Sequence, residues 1–269
     1  MWISKINPRG FTLVELVMTI ALTGIVGTVS IMFIKNTGEG LISSSGRQQL
    51  SSSAKVMSEQ ISRLLRNAMP GSIRVTTDGQ CIEFMSILIA SEYTQLNTNE
   101  DIISFDAVGH SGSADITGYA SIYPISTVNI YSLANPGSTS DSLATFPSGS
   151  GEIQVDLVSD HNYPQDSPQR RFYISEAPRT LCQQGSFIYL YHNYGFISDI
   201  ANLKTSLPST IATGRDVLAT NLQSNTLNFS YGTADLSRNG IVNFSYTLLH
   251  PKTSESLNIS QQVRIINVP

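Results

Sequence analysis

The apolar run near the N-terminus constrains the fold more than any other feature of the chain. It extends from Phe11 to Ile34 and reads FTLVELVMTIALTGIVGTVSIMFI. As a helix rising about 1.5 Å per residue it would span roughly 36 Å, enough to cross a hydrocarbon core about 30 Å thick. A cleaved secretory signal has a shorter apolar core that is followed by small residues, and this run shows neither feature. The run therefore predicts a transmembrane helix.

The charges around and within this run predict its orientation. Lys5 and Arg9 precede it, and positive residues favour the cytoplasmic side, so the chain after Lys35 is expected to be exported. Glu15 is the only charged residue inside the run. A carboxylate costs about 2.5–3.5 kcal/mol at the centre of a membrane helix and less near its end. Glu15 is therefore either tolerated near the headgroups or has a designated partner.

The composition does not suggest electrostatic capture of nucleic acid as the main function. Charged residues make up 13% of the chain, against roughly 25% in soluble domains, and the formal net charge is -4. A protein that binds nucleic acid by electrostatic attraction is normally basic. The low fraction of charged residues fits an exported globular protein.

Two cysteines, Cys81 and Cys182, lie far apart in the sequence. An isolated pair in an oxidising compartment usually forms one disulfide, and two buried free thiols are the alternative. Closing a loop of about 100 residues would contribute on the order of 4–5 kcal/mol in the chain-entropy description. Without a C-x-x-C pair, the sequence predicts no metal or redox site.

A second helical pattern follows the apolar run. Apolar residues recur at a helical period, and Pro70-Gly71 ends the pattern; the apolar positions are Leu50, Ala54, Met57, Ile61, Leu64, Leu65 and Ala68. We expect this face to pack on an exported sheet, with an independent coiled coil as the alternative. Gly38, Gly40 and Gly46 lie between the two patterns, and each costs about 1 kcal/mol in a helix. They predict a hinge or a locally melted section.

The remainder of the chain reads as β-structure. Short runs rich in Ile, Val, Tyr, Phe and Thr alternate with turn residues. The predicted strands are Ser72–Thr76, Cys81–Ile89, Ile102–Ala107, Gly118–Pro124, Val128–Ser132, Ile153–Val158, Arg171–Ser175, Phe187–His192, Leu227–Tyr231, Ile241–Leu248 and Leu257–Val268. Asn239-Gly240 predicts a hairpin turn, and Ser91–Glu100, Asn135–Gly151 and Asp160–Gln169 are predicted loops. The predicted fold class is α+β, with a long N-terminal helix packed on antiparallel sheet.

The heptapeptide Gly10-Phe11-Thr12-Leu13-Val14-Glu15-Leu16 resembles the prepilin-peptidase recognition sequence of type IV pilins and type II secretion pseudopilins. The resemblance implies cleavage between Gly10 and Phe11 and N-methylation of Phe11. It also implies that Glu15 pairs with the terminal amine of a neighbouring subunit during assembly. Elementary electrostatics favours such a pairing, because opposite charges attract far more strongly in a low dielectric than in water.

The resemblance also implies a domain organisation. Residues 1–10 would be the leader peptide, 11–34 the transmembrane helix, 35–70 the hinge and amphipathic helix, and 71–269 an exported pilin-like domain. Arg63 to Ala68, running into Pro70, is similar to the J-type minor pseudopilins. The segments Cys81–Phe84, Ser167–Tyr173 and Ile266–Pro269, together with Cys182, are similar to minor pilins of the mannose-sensitive haemagglutinin (MSHA) pilus.

The family implies partners and a location. The partners would be prepilin peptidase, other major and minor pilins, the inner-membrane assembly platform and the lipid bilayer. The expected location is the bacterial inner membrane, crossed once, with a cytoplasmic N-terminus and a periplasmic C-terminal domain. Incorporation into a surface pilus is the further expectation.

The sequence indicates no catalytic, metal or cofactor site, and we expect the protein not to be an enzyme. The histidines are scattered, and Gly109–Gly112 lacks the spacing of a nucleophile elbow. Asp235-x-Ser237-x-Asn239 is only a partial calcium loop, because Tyr246 stands at its twelfth position. Arg170–Tyr173 is a weak candidate patch for a partner or nucleic acid. Two alternatives to a pilus subunit stay open, a type II secretion pseudopilin and a tip adhesin or DNA-binding subunit.

Overall fold

A computed structural model describes residues 10–232, 240–251 and 255–265. Its helices are α1 Leu13–Arg66, α2 Thr127–Ser132 and α3 Leu203–Ser206, with short 3₁₀ turns at Ile200–Asn202 and Ile211–Thr213. Its strands are β1 Arg74–Val75, β2 Cys81–Phe84, β3 Ile87–Gln95, β4 Asp101–Val108, β5 Ile116–Ile122, β6 Thr139–Phe146, β7 Glu152–Asn162, β8 Arg171–Ser175, β9 Arg179–Gln184, β10 Phe187–Tyr191, β11 Arg215–Ala219, β12 Asn228–Gly232, β13 Gly240–Leu249 and β14 Ser256–Ile265. The predicted class, a long helix followed by antiparallel sheet, is confirmed.

Contacts within the chain define two units, one ending at Gln49 and the other beginning at Leu50. Helix α1 is assigned without a break through Gly38, Gly40 and Gly46. The prediction of a locally melted section was therefore wrong, while hinging is a prediction that the structure does not test. The helix continues because each added residue contributes one hydrogen bond, whereas a new helix would require a costly new nucleus.

The C-terminal part of α1 packs on β-structure, as the apolar stripe predicts. Leu50, Ala54, Met57, Ile61 and Leu65 are all buried. Their neighbours in the same core come from two sheets, β1-β2-β9-β10-β11 and β12-β13-β14. Buried polar contacts of the Tyr246 hydroxyl also join helix and sheet: it lies 2.7 Å from the Ser58 hydroxyl and donates to the Ala54 carbonyl at 3.0 Å. This packing excludes the independent coiled coil.

The remaining strands form a closed antiparallel barrel in the order β3-β4-β7-β6-β5-β8, which the sequence did not predict. Barrel residues 87–175 enter the chain between β2 and β9, two strands that pair directly with each other. The interior is filled by apolar and aromatic side chains, including Phe105, Phe146 and Phe172. The barrel is therefore a filled module that is inserted in the chain between β2 and β9, two neighbouring strands of the five-stranded sheet.

Several local predictions were wrong. Residues 128–132, predicted as a strand, belong to α2, because buried Ile130 and Tyr131 dock against Met69 and Met85. The predicted loop 135–151 contains β6, and the loops at 91–100 and 160–169 each begin with the end of a strand. Strands β9 and β11 were not predicted. The predicted hairpin strands do pair as β12 and β13.

Candidate processing and membrane-insertion site

The predicted scissile bond lies just outside the helix. Gly10 is exposed, and a side chain built on it would meet no other atom within 4 Å. Phe11 is 78% exposed, and α1 begins only at Leu13. Exposed segments outside regular structure are the usual sites of proteolysis. The Gly10–Phe11 bond is therefore accessible to a protease.

Thr12 begins the helix, a role that we did not assign to it from the sequence. Its Oγ1 accepts a hydrogen bond from the backbone N–H of Glu15 at 3.3 Å, and its carbonyl accepts one from the N–H of Leu16 at 3.1 Å. A Thr followed three residues later by Glu is the sequence signature of a capping box, and this pattern could have identified the cap. Cleavage before Phe11 would leave a new amine one residue ahead of the cap.

Glu15 lies in the first turn of α1 with its side chain exposed. The positive end of a helix dipole favours a carboxylate at this position. Only Thr12 lies between Phe11 and the first residue of α1. Cleavage before Phe11 would therefore place an ammonium group and the Glu15 carboxylate at the same end of an apolar helix. The exposed Glu15 carboxylate in the first turn of α1 is therefore free to pair with the terminal amine of a neighbouring subunit.

The rest of the apolar segment carries few unsatisfied polar groups. The hydroxyls of Thr19, Thr23 and Thr28 donate to helix carbonyls three or four residues earlier, at 2.7–3.1 Å. In lipid, polar groups need such partners within the protein. None of the side chains in the most apolar window of α1 is buried. In the part of the chain that the structure describes, α1 is the one helix long and apolar enough to cross a membrane.

The two cysteines belong to the second unit, which begins at Leu50. Cys81 in β2 and Cys182 in β9 are paired across the two strands and joined by a disulfide, with their Cα atoms 4.3 Å apart. The disulfide therefore links the strand that leads into the barrel to the strand that follows it. It closes a loop with a sequence separation of 101 residues.

The weak binding patch at Arg170–Tyr173 does not form a surface. Arg170 is exposed, but Phe172 and Tyr173 are buried, Phe172 within the barrel. The aromatic rings that a ligand would stack on therefore face inward. This arrangement removes the sequence-based reason for proposing nucleic-acid binding there.

The histidines have local structural partners. Buried His161 places Nε2 3.0 Å from the carbonyl of Gly137, and His192 Nε2 lies 3.2 Å from Asp216. Among residues 10–232, 240–251 and 255–265, no group of three or more His, Cys, Asp or Glu side chains could hold a metal ion. The leader with Lys5 and Arg9, the calcium-loop candidate at Asp235–Asn239 and the terminal Ile266–Pro269 lie outside the described residues.

Comparison with known proteins gives a match at the N-terminus. A family profile, the prokaryotic N-terminal methylation motif, matches residues 6–31. The chain carries a pilin-like methylation motif. This match supports membership of the type IV pilin-like proteins and membrane anchoring by α1. It includes Gly10, Phe11 and Glu15 but does not extend into the unit that begins at Leu50. No curated protein and no solved structure matches the chain.

Proposed function

We propose that this protein is a minor pilin-like structural subunit of a type IV pilus of the MSHA kind. Prepilin peptidase cuts it between Gly10 and Phe11, and the mature protein is then assembled into the pilus or its initiating complex. The observation that carries the proposal is the coincidence of the methylation motif at residues 6–31 with an exposed Gly-Phe bond and a capped helix start. Peptidase and methyltransferase need the accessible bond, and assembly needs the apolar helix behind it.

The exported unit supports a structural rather than an enzymatic role. Its barrel is filled by side chains, His161 contacts the Gly137 carbonyl, and His192 contacts the Asp216 carboxylate. Such a body provides surfaces for neighbouring subunits. Within the pilin class, the motifs around Cys81, Ser167–Tyr173 and Cys182 resemble MshO, the minor-pilin biogenesis protein of the MSHA pilus, and this resemblance is the reason for choosing that system.

A type II secretion pseudopilin of the J type is the second candidate, favoured by the segment Arg63–Ala68. Both candidates share the same processing site and membrane helix. Deleting the gene separates them, because loss of piliation favours the pilus subunit, and loss of protein secretion with normal pili favours the pseudopilin.

Mass spectrometry of the mature N-terminus tests the shared claim. The protein recovered from membranes should begin at Phe11 and carry one N-methyl group. Gly10→Leu should block cleavage, because the side chain would occupy the space that the peptidase needs. Gly38→Leu is the control, since Gly38 lies within α1 outside the matched motif and has equally open surroundings. Recovery of wild-type protein that still begins at Met1, or normal processing of Gly10→Leu, would overturn the assignment.

A further inference from the structure

Strand β14 offers an open edge in the sheet β12-β13-β14. On one side it pairs with β13 over ten consecutive residue pairs, from Ser256 opposite Leu249 to Ile265 opposite Gly240, with no bulge. On its other side, no strand among the described residues pairs with it. A regular edge of this length presents a row of unpaired backbone groups.

The other sheet edges are short or covered. The edge of β12 receives the β1–β2 turn, where the Phe229 N–H donates to the Gly79 carbonyl at 2.7 Å. Strand β1 has two residues, and β11 has five residues, with charged Arg215 and Asp216 at its start. Natural proteins protect edges by shortness, charge, proline or bulges. Strand β14 shows none of these devices apart from the single charge of Arg264.

The inner face of β14 is only partly covered. Val263 and Ile265 are buried in the core beneath α1, whereas Leu257 and Ile259 are only half-buried at its margin. Gln261, between the two pairs on the same face, is exposed. An added strand would therefore bury apolar surface as well as complete the backbone hydrogen bonds.

The sequence of β14 is complementary to itself. In an antiparallel pair centred on Gln261, Ile259 faces Val263 of the second copy and Leu257 faces Ile265, so apolar side chains meet on the inner face. The two Gln261 amides meet at the centre and can hydrogen-bond to each other. On the outer face Arg264 meets Asn258, so like charges are never opposed.

We propose that β14 pairs with β14 of a second copy of this chain, across a two-fold axis at Gln261, to form one continuous six-stranded sheet. An isologous contact of this kind uses the same patch on both copies. The proposal goes beyond the proposed function and does not depend on N-terminal processing.

Cysteine crosslinking of the full-length chain in membranes tests this pairing. The two native cysteines are bridged to each other, so one added cysteine reports alone. Gln261→Cys should give a covalent dimer on oxidation that reductant reverses. Ser256→Cys, at the same strand edge but far from the axis, should stay monomeric, because a disulfide requires Cα atoms within about 7 Å. Equal crosslinking of both variants, no dimer, or capture of only a different protein by Gln261→Cys would overturn the proposal.

Charge exchange provides a second readout. Gln261→Lys places two like charges at the axis and should abolish co-purification of two differently tagged copies, although this exposed position leaves the monomer fold intact. Co-production of Gln261→Lys with Gln261→Glu should restore co-purification. Persistence of the Gln261→Lys pair, or failure of the mixed pair to recover, would contradict pairing at this axis.

Discussion

Arg74 and Glu83 form an ion pair across β1 and β2, with Nε and Oε2 2.5 Å apart and the Glu83 side chain fully buried. The Arg74 guanidinium also donates to the carbonyls of Ile197 and Ser198 and lies 3.6 Å from the centre of the Tyr131 ring. Burial raises the pKa of the Glu83 carboxyl, against the opposing effect of the Arg74 charge. The Arg74 side chain therefore links the five-stranded sheet, the loop that contains Ile197 and Ser198, and α2.

Removing one partner should strongly destabilise the unit that begins at Leu50. Arg74→Ala leaves the Glu83 carboxylate buried without its cation, and a broken buried pair costs about 3–5 kcal/mol. Thermal and urea unfolding of the full chain in detergent, followed by circular dichroism, would measure the loss. Arg179→Ala is the matched control, because its pair with Glu176 is partly exposed, and exposed pairs contribute about 0–1 kcal/mol. Equal effects of the two substitutions would show that the buried pair has no special role.

Loss of the disulfide should also lower the unfolding free energy. The bond between Cys81 and Cys182 closes a loop with a separation of 101 residues, for which the chain-entropy description gives about 4–5 kcal/mol as an upper value. The double variant Cys81→Ala/Cys182→Ala should unfold at a lower urea concentration than the oxidised wild type. Reductant should bring the wild type close to the variant and leave the variant unchanged. A variant as stable as the oxidised protein would contradict this account.

Asp78 should contribute a distinct acid dependence. Hydrogen bonds from Lys204 and Thr76 lower the pKa of Asp78 from 3.8 to about 2. Because the folded-state pKa is lowered, the stabilisation is fully present above pH 3.8 and is lost as the pH falls toward 2. Asp78→Asn should remove this part of the acid dependence and cost at most about 1 kcal/mol at neutral pH, as expected for an exposed pair.

Stability curves between pH 2 and pH 7 would measure the effect of Asp78→Asn. Asp160→Asn, the same substitution at an exposed aspartate in β7, is the control and should retain the wild-type slope. An Asp78→Asn protein with an unchanged acid slope would show that Lys204 does not hold the carboxylate in the folded state.

Features that depend on local sequence were predictable. The apolar stripe from Leu50 to Ala68 predicted the buried face of α1, and the short run of Phe, Tyr and Ile in Arg171–Ser175 predicted the bounds of β8. At the candidate processing site, Gly10, Phe11 and Glu15 belong to a short motif that needs no tertiary contact to be recognised. The cap at Thr12 was equally local, and the pattern Thr-x-x-Glu was present but not used.

Features that depend on distant pairing were not predictable. Barrel closure requires β3 to pair with β8, whose residues lie some eighty positions later, and no local pattern encodes that pairing. Strand β6 contains Ser140, which looks like a loop residue, yet its hydroxyl accepts from the Ala120 N–H and donates to the Ser142 carbonyl. Tyr131 lies in α2, where its ring is buried against Met69 and Met85 and its hydroxyl donates to the Ser72 carbonyl. Tertiary contacts overrode local preference in each case.

Glu15 provides the sharpest test of assembly. Glu15→Gln should be inserted and processed normally, because the substitution leaves Gly10, Phe11 and the Thr12 cap unchanged. Incorporation into filaments should fall by at least about tenfold, since an amine left unpaired in a low dielectric costs more than the roughly 1.4 kcal/mol that corresponds to tenfold. The ratio of filament-bound to membrane-bound protein measures this effect.

Glu39→Gln separates loss of a specific pairing from a general loss of charge. Glu39 lies on the same helix beyond the apolar run, with its carboxylate exposed and 4.0 Å from Lys35. Because Glu39 follows the apolar run and its pair with Lys35 is exposed, we expect water to replace the lost interaction and incorporation to stay at the wild-type level. If both variants enter filaments equally well, the carboxylate in the first turn of α1 does not neutralise a neighbouring amine. If Glu15→Gln alone fails, and still begins at Phe11, the defect lies in assembly and not in processing.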